Sequence, residues 1–280
     1  MGEKVNSKRI LVSIITPVLN GADYLEESLL SVLNQSYENI EHVFIDGGST
    51  DGTLEIIKKY KKKYPGRIRF ISEPDNSTGE AWNKGMKISK GDILGWLGSD
   101  DIYMPDAIAS VVDFFHKNKE AKFVFGDAVI INTDGKVVDK YYTREYDISA
   151  LINGINFIPT TSAFYKREVV ERVGSMDTSN IGKWVGDLDY WIRVGKVYEV
   201  YRIKKVLSKF RVHERSIGGS KKSIDAYARG GFLINRRYGG SIFSVIGIRY
   251  ILVCKLKMSW ALPVIIPVYK FLKRKFLISK

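Results

Sequence analysis

Two acidic stretches stand out by residue type and spacing: IDGGSTDGT at 45–53 and LGSDD at 97–101. A carboxylate such as Asp46, followed at once by glycines, projects into a crevice while the backbone turns sharply, and Ser49 or Thr50 with Asp51 can cap the next helix. Asp100 and Asp101, adjacent at a strand end, can hold a hard divalent cation that itself bridges a diphosphate. Neither G-x-x-x-x-G-K-[ST] nor G-x-G-x-x-G follows the first strand, so phosphates bound here must be neutralised in such a way. The plainer alternatives are an ordinary capped loop at 45–53 and an N-cap before MPDAIASVV at 100–101. Two adjacent acids repel, which makes the pair a poor cap.

These residues need elements to position them. ILVSIIT, IEHVFID, RIRFIS, DILGWLG and KFVFGD read as strands, and ADYLEESLLSVLNQ, TLEIIKKYKKK, GEAWNKGMKIS and DAIASVVDFFHKN read as the helices between them. Strands alternating with helices of this length imply a mostly parallel sheet covered on both faces, with ligands beyond the carboxyl ends of the strands. Thr16-Pro17, Asp46, Glu73-Pro74-Asp75 and Ser99-Asp100-Asp101 fall at those ends. INTDGKVV predicts a hairpin about Asp134-Gly135, and NGINFIPTTSAFYKREVVERVG a loop, strand and short helix.

SIITPVLNGADYLEESLLSVLNQSYENIEHVFIDGGSTDGT and SEPDNSTGEAWNKGMKISKGDILGWLGSDD together resemble the nucleotide-sugar-binding half of the family 2 glycosyltransferases. The resemblance spans residues 11–106, with weaker matches to about residue 220. It implies an α/β GT-A fold, a single mostly parallel Rossmann-like sheet with helices on both faces. It also implies inverting transfer of a sugar from a nucleotide-diphosphate donor, a UDP-sugar for preference, to an acceptor hydroxyl. The expected acceptor is a saccharide or lipid-linked saccharide in surface polysaccharide synthesis. Carried over to this chain, Thr16 and Pro17 line the base pocket, Asp46 accepts from the nucleobase, and Asp75 lies beside the nucleoside. Asn83 and Lys84 fit donor-side contacts, although Lys84 also suits a helix cap. Asp100 falls near the ribose and Asp101 on a Mg or Mn ion. Ser99 stands where the family has the first Asp of its Asp-any-Asp element, which leaves the cation chiefly to one carboxylate and the diphosphate oxygens.

The resemblance also supplies a base, which the acceptor hydroxyl needs in the transition state. In VGDLDYWIRVG the matching acid is Asp187, whereas Asp189 reads as charge stabilisation of a helix start. His213 in RVHERS corresponds to a family histidine near metal and diphosphate, with Arg211 and Arg215 available to the phosphates. Phe157, Thr160, Thr161, Ser162 and Trp184 are candidates for a sugar-binding wall, against the commoner role of aromatics in a core.

The net charge of +13 is concentrated at one end: residues 232–280 carry ten Lys or Arg and no acid, leaving +3 for the rest. SIFSVIGIRYILVC and MSWALPVIIPVY are too apolar for a nucleic-acid arm and shorter than the ~20 residues of a spanning helix. A basic, apolar, membrane-associating tail at 232–280 is therefore expected, appended to a domain at 1–231 with a donor half at about 9–127 and an acceptor half at 128–231. The plainer alternative is a helical hairpin packed on the protein. One cysteine, Cys254, and an N-terminus without a secretory pattern predict a cytoplasmic protein peripheral to the inner face of the cell membrane. A nucleotidyltransferase would carry a Gly-rich, Arg-containing turn after the first strand, which TPVLNGADY lacks. A silent nucleotide-sugar binder would lack Asp187 or Asp101.

Overall fold

The computed structural model describes residues 9–179, 182–214, 216 and 221–255. Strands β1 (Val12–Val18), β2 (Ile40–Asp46), β3 (Ile68–Ser72) and β4 (Ile93–Trp96) pair in parallel in the order β3-β2-β1-β4. Helices α1 (Ala22–Leu33), α2 (Thr53–Lys63) and α3 (Thr78–Ile88) connect them. Both faces of β1 and β2 are apolar because both are covered. Ile15, Val43 and Ile45 join one core with Trp82 and Met86, while Val18 and Phe44 join another with Leu25, Leu29 and Ile57. At the start of α3, the Ser77 hydroxyl accepts from the Glu80 N–H and the Glu80 carboxylate from the Asn76 N–H, which satisfies donors the helix leaves open. A Cβ on Gly85 of α3 would meet Ile15 Cγ2 at 2.3 Å, so only glycine lets this helix lie so close to β1.

Beyond β4 come β5 (Ile102–Tyr103), α4 (Ala107–Lys117), β6 (Phe123–Ile131), β7 (Val137–Tyr141), α5 (Ile148–Ile152), β8 (Ala163–Lys166) and α6 (Arg167–Val173). Then follow α7 (Gly182–Gly195), β9 (Val200–Arg211), α8 (Lys221–Arg237) and α9 (Val245–Tyr250). The sheet continues β4-β8-β6-β9-β5, with β7 on β6. The parallel arrangement expected from the sequence holds for the first four strands. Strand β8 runs antiparallel to β4 and β6, so the whole sheet is mixed. The hairpin about Asp134-Gly135 forms between β6 and β7, with Gly135 at φ +77° and Asn132 Oδ1 accepting from the Asp134 and Lys136 N–H groups.

The domain boundary expected at 231/232 requires correction, because it falls inside α8. Ala228 and Ile234 are both fully buried, and Ile234 belongs to the main core together with the packed side chains of Tyr238 and Val245. A shift in charge at residue 232 is therefore not a shift in packing. The segment MSWALPVIIPVY and the rest of 256–280 lie outside the described residues.

Candidate active site

The loop 45–53 holds itself and its neighbour together. Asp46 is fully buried, its Oδ2 accepting from the N–H groups of Gly48 (3.1 Å) and Ser49 (3.1 Å) and from Ser72 Oγ (2.7 Å). Gly48, at φ +92°, makes that turn possible. Asp51 accepts from Thr53 at the start of α2 and reaches across to the Ala22 N–H at the start of α1 (3.0 Å). Ser49 and Asn20 complete the seam. The two aspartates thus lock the β1 and β2 exits into one rim. Asp75 stands on that rim: a Cβ on Gly47 would lie 3.1 Å from its Oδ2. Partial burial pushes its carboxyl above the ordinary range.

Several expected donor-side residues are otherwise engaged. Thr16 is fully buried, its hydroxyl 2.8 Å from His42 Nε2, so its side chain does not line an open pocket. Strand alternation accounts for this: Thr16 shares the covered face of Ile14 and Val18. His42 is itself buried, which drives its pKa down to about 3 and keeps the imidazole neutral. Pro17, half-buried, faces the other way beside Ile45. Lys84 donates to Pro74 O and pairs with Glu73 (3.0 Å) and Glu80 (3.4 Å). Asn83 clamps a remote backbone, donating to Met176 O (3.0 Å) and accepting from the Met176 N–H (2.8 Å). Nothing in the sequence pairs residues 83 and 176.

The second acidic stretch converges. A Cβ on Gly98 would lie 2.4 Å from Asp101 Oδ2 and 2.8 Å from Asp100 Oδ1, so both carboxylates crowd the space above this glycine. Asp101 is buried, and its Oδ1 accepts from the Arg211 N–H (2.8 Å). Burial first, and the Asp100 charge second, raise its carboxyl well above the ordinary range. His213 Nε2 lies 3.0 Å from Asp100 Oδ2, and its ring packs on Tyr24. His213 thus meets Asp100 rather than Asp101. Among the described residues no group of three or more His, Cys, Asp or Glu side chains forms a ready metal cage.

The expectation for Arg211 also changes. Its buried guanidinium donates to Asp100 O, Asn132 O and Thr133 O, and pairs with Glu27 at 2.6 Å. With its donors so committed, Arg211 sets the shape of the Asp100-Asp101 turn instead of reaching a phosphate. Arg215 lies outside the described residues.

On α7, a kink at Val185 (φ −140°, ψ 28°) precedes the two acids. Asp187 is half-buried. Its Oδ1 accepts from the Leu188 N–H (2.8 Å) and its Oδ2 from Thr160 Oγ1 (3.1 Å). Burial outweighs these bonds, and one from Asn156, to raise its carboxyl. Tyr227 of α8 is close enough for the Asp187 charge to add to the burial that raises its phenol. Asp189 differs: it is 1% exposed and meets Arg193 Nε (2.7 Å), Arg237 Nη1 (3.2 Å) and Tyr238 OH (2.8 Å). It clasps α8 to α7, a stronger tie than the helix-start charge expected of it. Among the described side chains of the proposed wall, Thr160 is the one bonded to Asp187. Thr161 and Ser162 bond to Ser208, Phe157 is core, and the Trp184 side chain lies outside the described residues.

The chain belongs to glycosyl transferase family 2, whose model matches residues 13–174. It is 34% identical over 224 residues to an uncharacterized glycosyltransferase of Rickettsia typhi, covering 75% of this chain and 67% of that one. It is 31% identical over 217 residues to the putative teichuronic acid biosynthesis glycosyltransferase TuaG of Bacillus subtilis, covering 75% and 82%. Across the rickettsial relatives the match covers from 32% to 67% of their length. S. aureus TarS 1-349 in complex with UDP-GlcNAc superposes with a TM-score of 0.64 at 16% identity, over 86% of this chain and 72% of that one. The mannosyltransferase PcManGT of Pyrobaculum calidifontis, in complex with GDP-Man and Mn2+, gives 0.63 at 20%, over 93% and 74%. These likenesses establish the GT-A fold.

Proposed function

We propose that this glycosyltransferase moves a hexosyl or N-acetylhexosaminyl group, with inversion, from a UDP-sugar to a saccharide or lipid-linked saccharide hydroxyl in surface polysaccharide synthesis. The observation that carries the chemical reading is the contrast on α7. Asp187 keeps a half-buried carboxyl raised by burial, while Asp189, two residues on, is neutralised by two arginines. A carboxylate with a raised pKa is the better proton acceptor. In one displacement the acceptor O–H gives its proton to Asp187, the acceptor oxygen bonds to the anomeric carbon, and the bond to the diphosphate oxygen breaks with its electron pair. Thr160 and Asn156 orient the base. TuaG and the UDP-GlcNAc complex of TarS support the choice of donor and pathway class.

The donor set fits a divalent cation: two carboxylate oxygens face one small space, and a buried Asp101 gains by having a positive charge beside it. Asp101 and Asp100 would hold Mg or Mn, with His213 at the edge, and the ion would stabilise the charge that develops on the leaving diphosphate. The protein works at the cytoplasmic face of the membrane in this reading. Nucleotide release from a panel of nucleotide sugars, with lipid-linked saccharides as acceptors, tests the assignment. UDP release that depends on acceptor and cation is expected, and turnover of GDP- or dTDP-sugars alone would refute the donor.

A further inference from the structure

Helices α8 and α9, with the π-helical turn Ile251–Lys255, form a hairpin. Its inner side is closed: Phe232 stacks on Tyr250 at 4.2 Å, Ile234 enters the main core, and Ile246 packs against Gly154 and Gly231. Its outer side is not. Phe243 at the tip is 80% exposed, and Leu233, Ile242, Ile248 and Ile251 are also exposed. Ile248, Ile251 and Lys255 follow the i, i+3, i+7 spacing of one helix face. The charge around this face has one sign, because Asp225 is the last acid and residues 226–280 carry eleven Lys or Arg.

We infer that the outer face of this hairpin docks on an anionic lipid bilayer, with Ile242 and Phe243 inserted at the headgroup boundary and Arg229, Arg236, Arg249 and Lys255 on the phosphates. A second copy is a poor occupant, since a two-fold contact would set these cations against themselves. The same applies to residues 256–280, which hold six of the eleven cations and no acid. The location has a consequence for the reaction. Through Asp189, Arg237 and Tyr238 the hairpin is fastened to the helix that carries Asp187, and Tyr227 lies beside that carboxylate. A docked bilayer therefore meets the acceptor side of the enzyme. That consequence rests on the lipid-linked acceptor of the proposed function, whereas docking itself does not.

The test uses the full chain and its Phe243→Asp/Ile251→Asp variant, sedimented with vesicles of phosphatidylglycerol and phosphatidylcholine or of phosphatidylcholine alone. The parent is expected to prefer the anionic vesicles, and the variant to bind them about tenfold or more weakly while keeping its UDP affinity. Should the variant fail to fold, Arg249→Gln/Lys255→Gln provides the second arm, with the same loss expected at low salt. Equal sedimentation of parent and variants overturns the inference. So does a parent that ignores vesicles and forms a dimer that the variant abolishes. If docking is lost as expected but a water-soluble acceptor serves as well as a lipid-linked one, the docking face stands and the acceptor assignment falls.

Discussion

Replacing Gly98 by alanine tests the convergence of Asp100 and Asp101 without touching either carboxylate. The new Cβ would stand 2.4 Å from Asp101 Oδ2 and 2.8 Å from Asp100 Oδ1, and Cβ contacts essentially never fall below 3.0 Å. The Asp101 oxygen must therefore retreat by about 0.6 Å and that of Asp100 by about 0.2 Å. Asp101 has little room for this, being buried with Oδ1 fixed by the Arg211 N–H. Cation sites tolerate only about 0.2 Å in ligand distance, so the larger movement removes a ligand. A loss of about 10–100-fold in cation affinity is expected, the range seen when a supporting contact of a metal site is removed. Titration calorimetry of UDP binding across a Mn2+ series reads it. The parent and Gly98→Ala should bind UDP alike without cation and diverge as cation is added. An unchanged Mn2+ dependence would refute the geometry argued for the pair.

Asp187→Asn keeps shape but cannot take a proton, so turnover should fall by about 10²–10⁴-fold with donor affinity retained; the acidic limb of the parent's pH profile should lie above the ordinary carboxylate range, following the raised Asp187 carboxyl. Full activity in Asp187→Asn with loss in Asp189→Asn would move the base two residues along. Asp101 has a folded-state pKa raised above its unfolded value, so the folded chain binds the extra proton and this contribution is lost as pH rises through the raised value. Metal-free Asp101→Asn should consequently melt above the parent at neutral and alkaline pH, with the gap closing in acid, while UDP binding no longer responds to Mn2+. Asn83→Ala leaves the Met176 N–H and C=O unpaired, each worth about 1–3 kcal/mol if buried, and should lower both melting temperature and kcat with donor KM little changed. A rise in donor KM alone would return Asn83 to the donor pocket.

The sequence is legible where structure is local. The βα alternation in residues 10–127 follows from periodicity, and the acids at the strand ends follow from it in turn. The Asp134-Gly135 turn is readable because a positive φ selects glycine. What escapes is what distant segments decide together. Arg211 takes its partners from residues 27, 100, 132 and 133, and no short-range pattern announces any of them. Thr16 was open to strand alternation, since its face is shared with Ile14 and Val18, yet its place at a strand end suggested a pocket. In the C-terminal stretch charge changes while helical packing continues. Ala228 and Ile234, buried on either side of residue 231, carry α8 through the compositional break.

A single displacement assisted by Asp187, as proposed above, inverts the anomeric carbon. The configuration of the new linkage tests it most directly: an α-linked UDP-sugar is supplied with a lipid-linked saccharide and the product's anomeric proton is read by NMR. A β-linked product is expected from the parent, and from Asp187→Asn the same linkage formed about 10²–10⁴-fold more slowly. An α-linked product, or a β-linked one formed at the parent rate by Asp187→Asn, would contradict it.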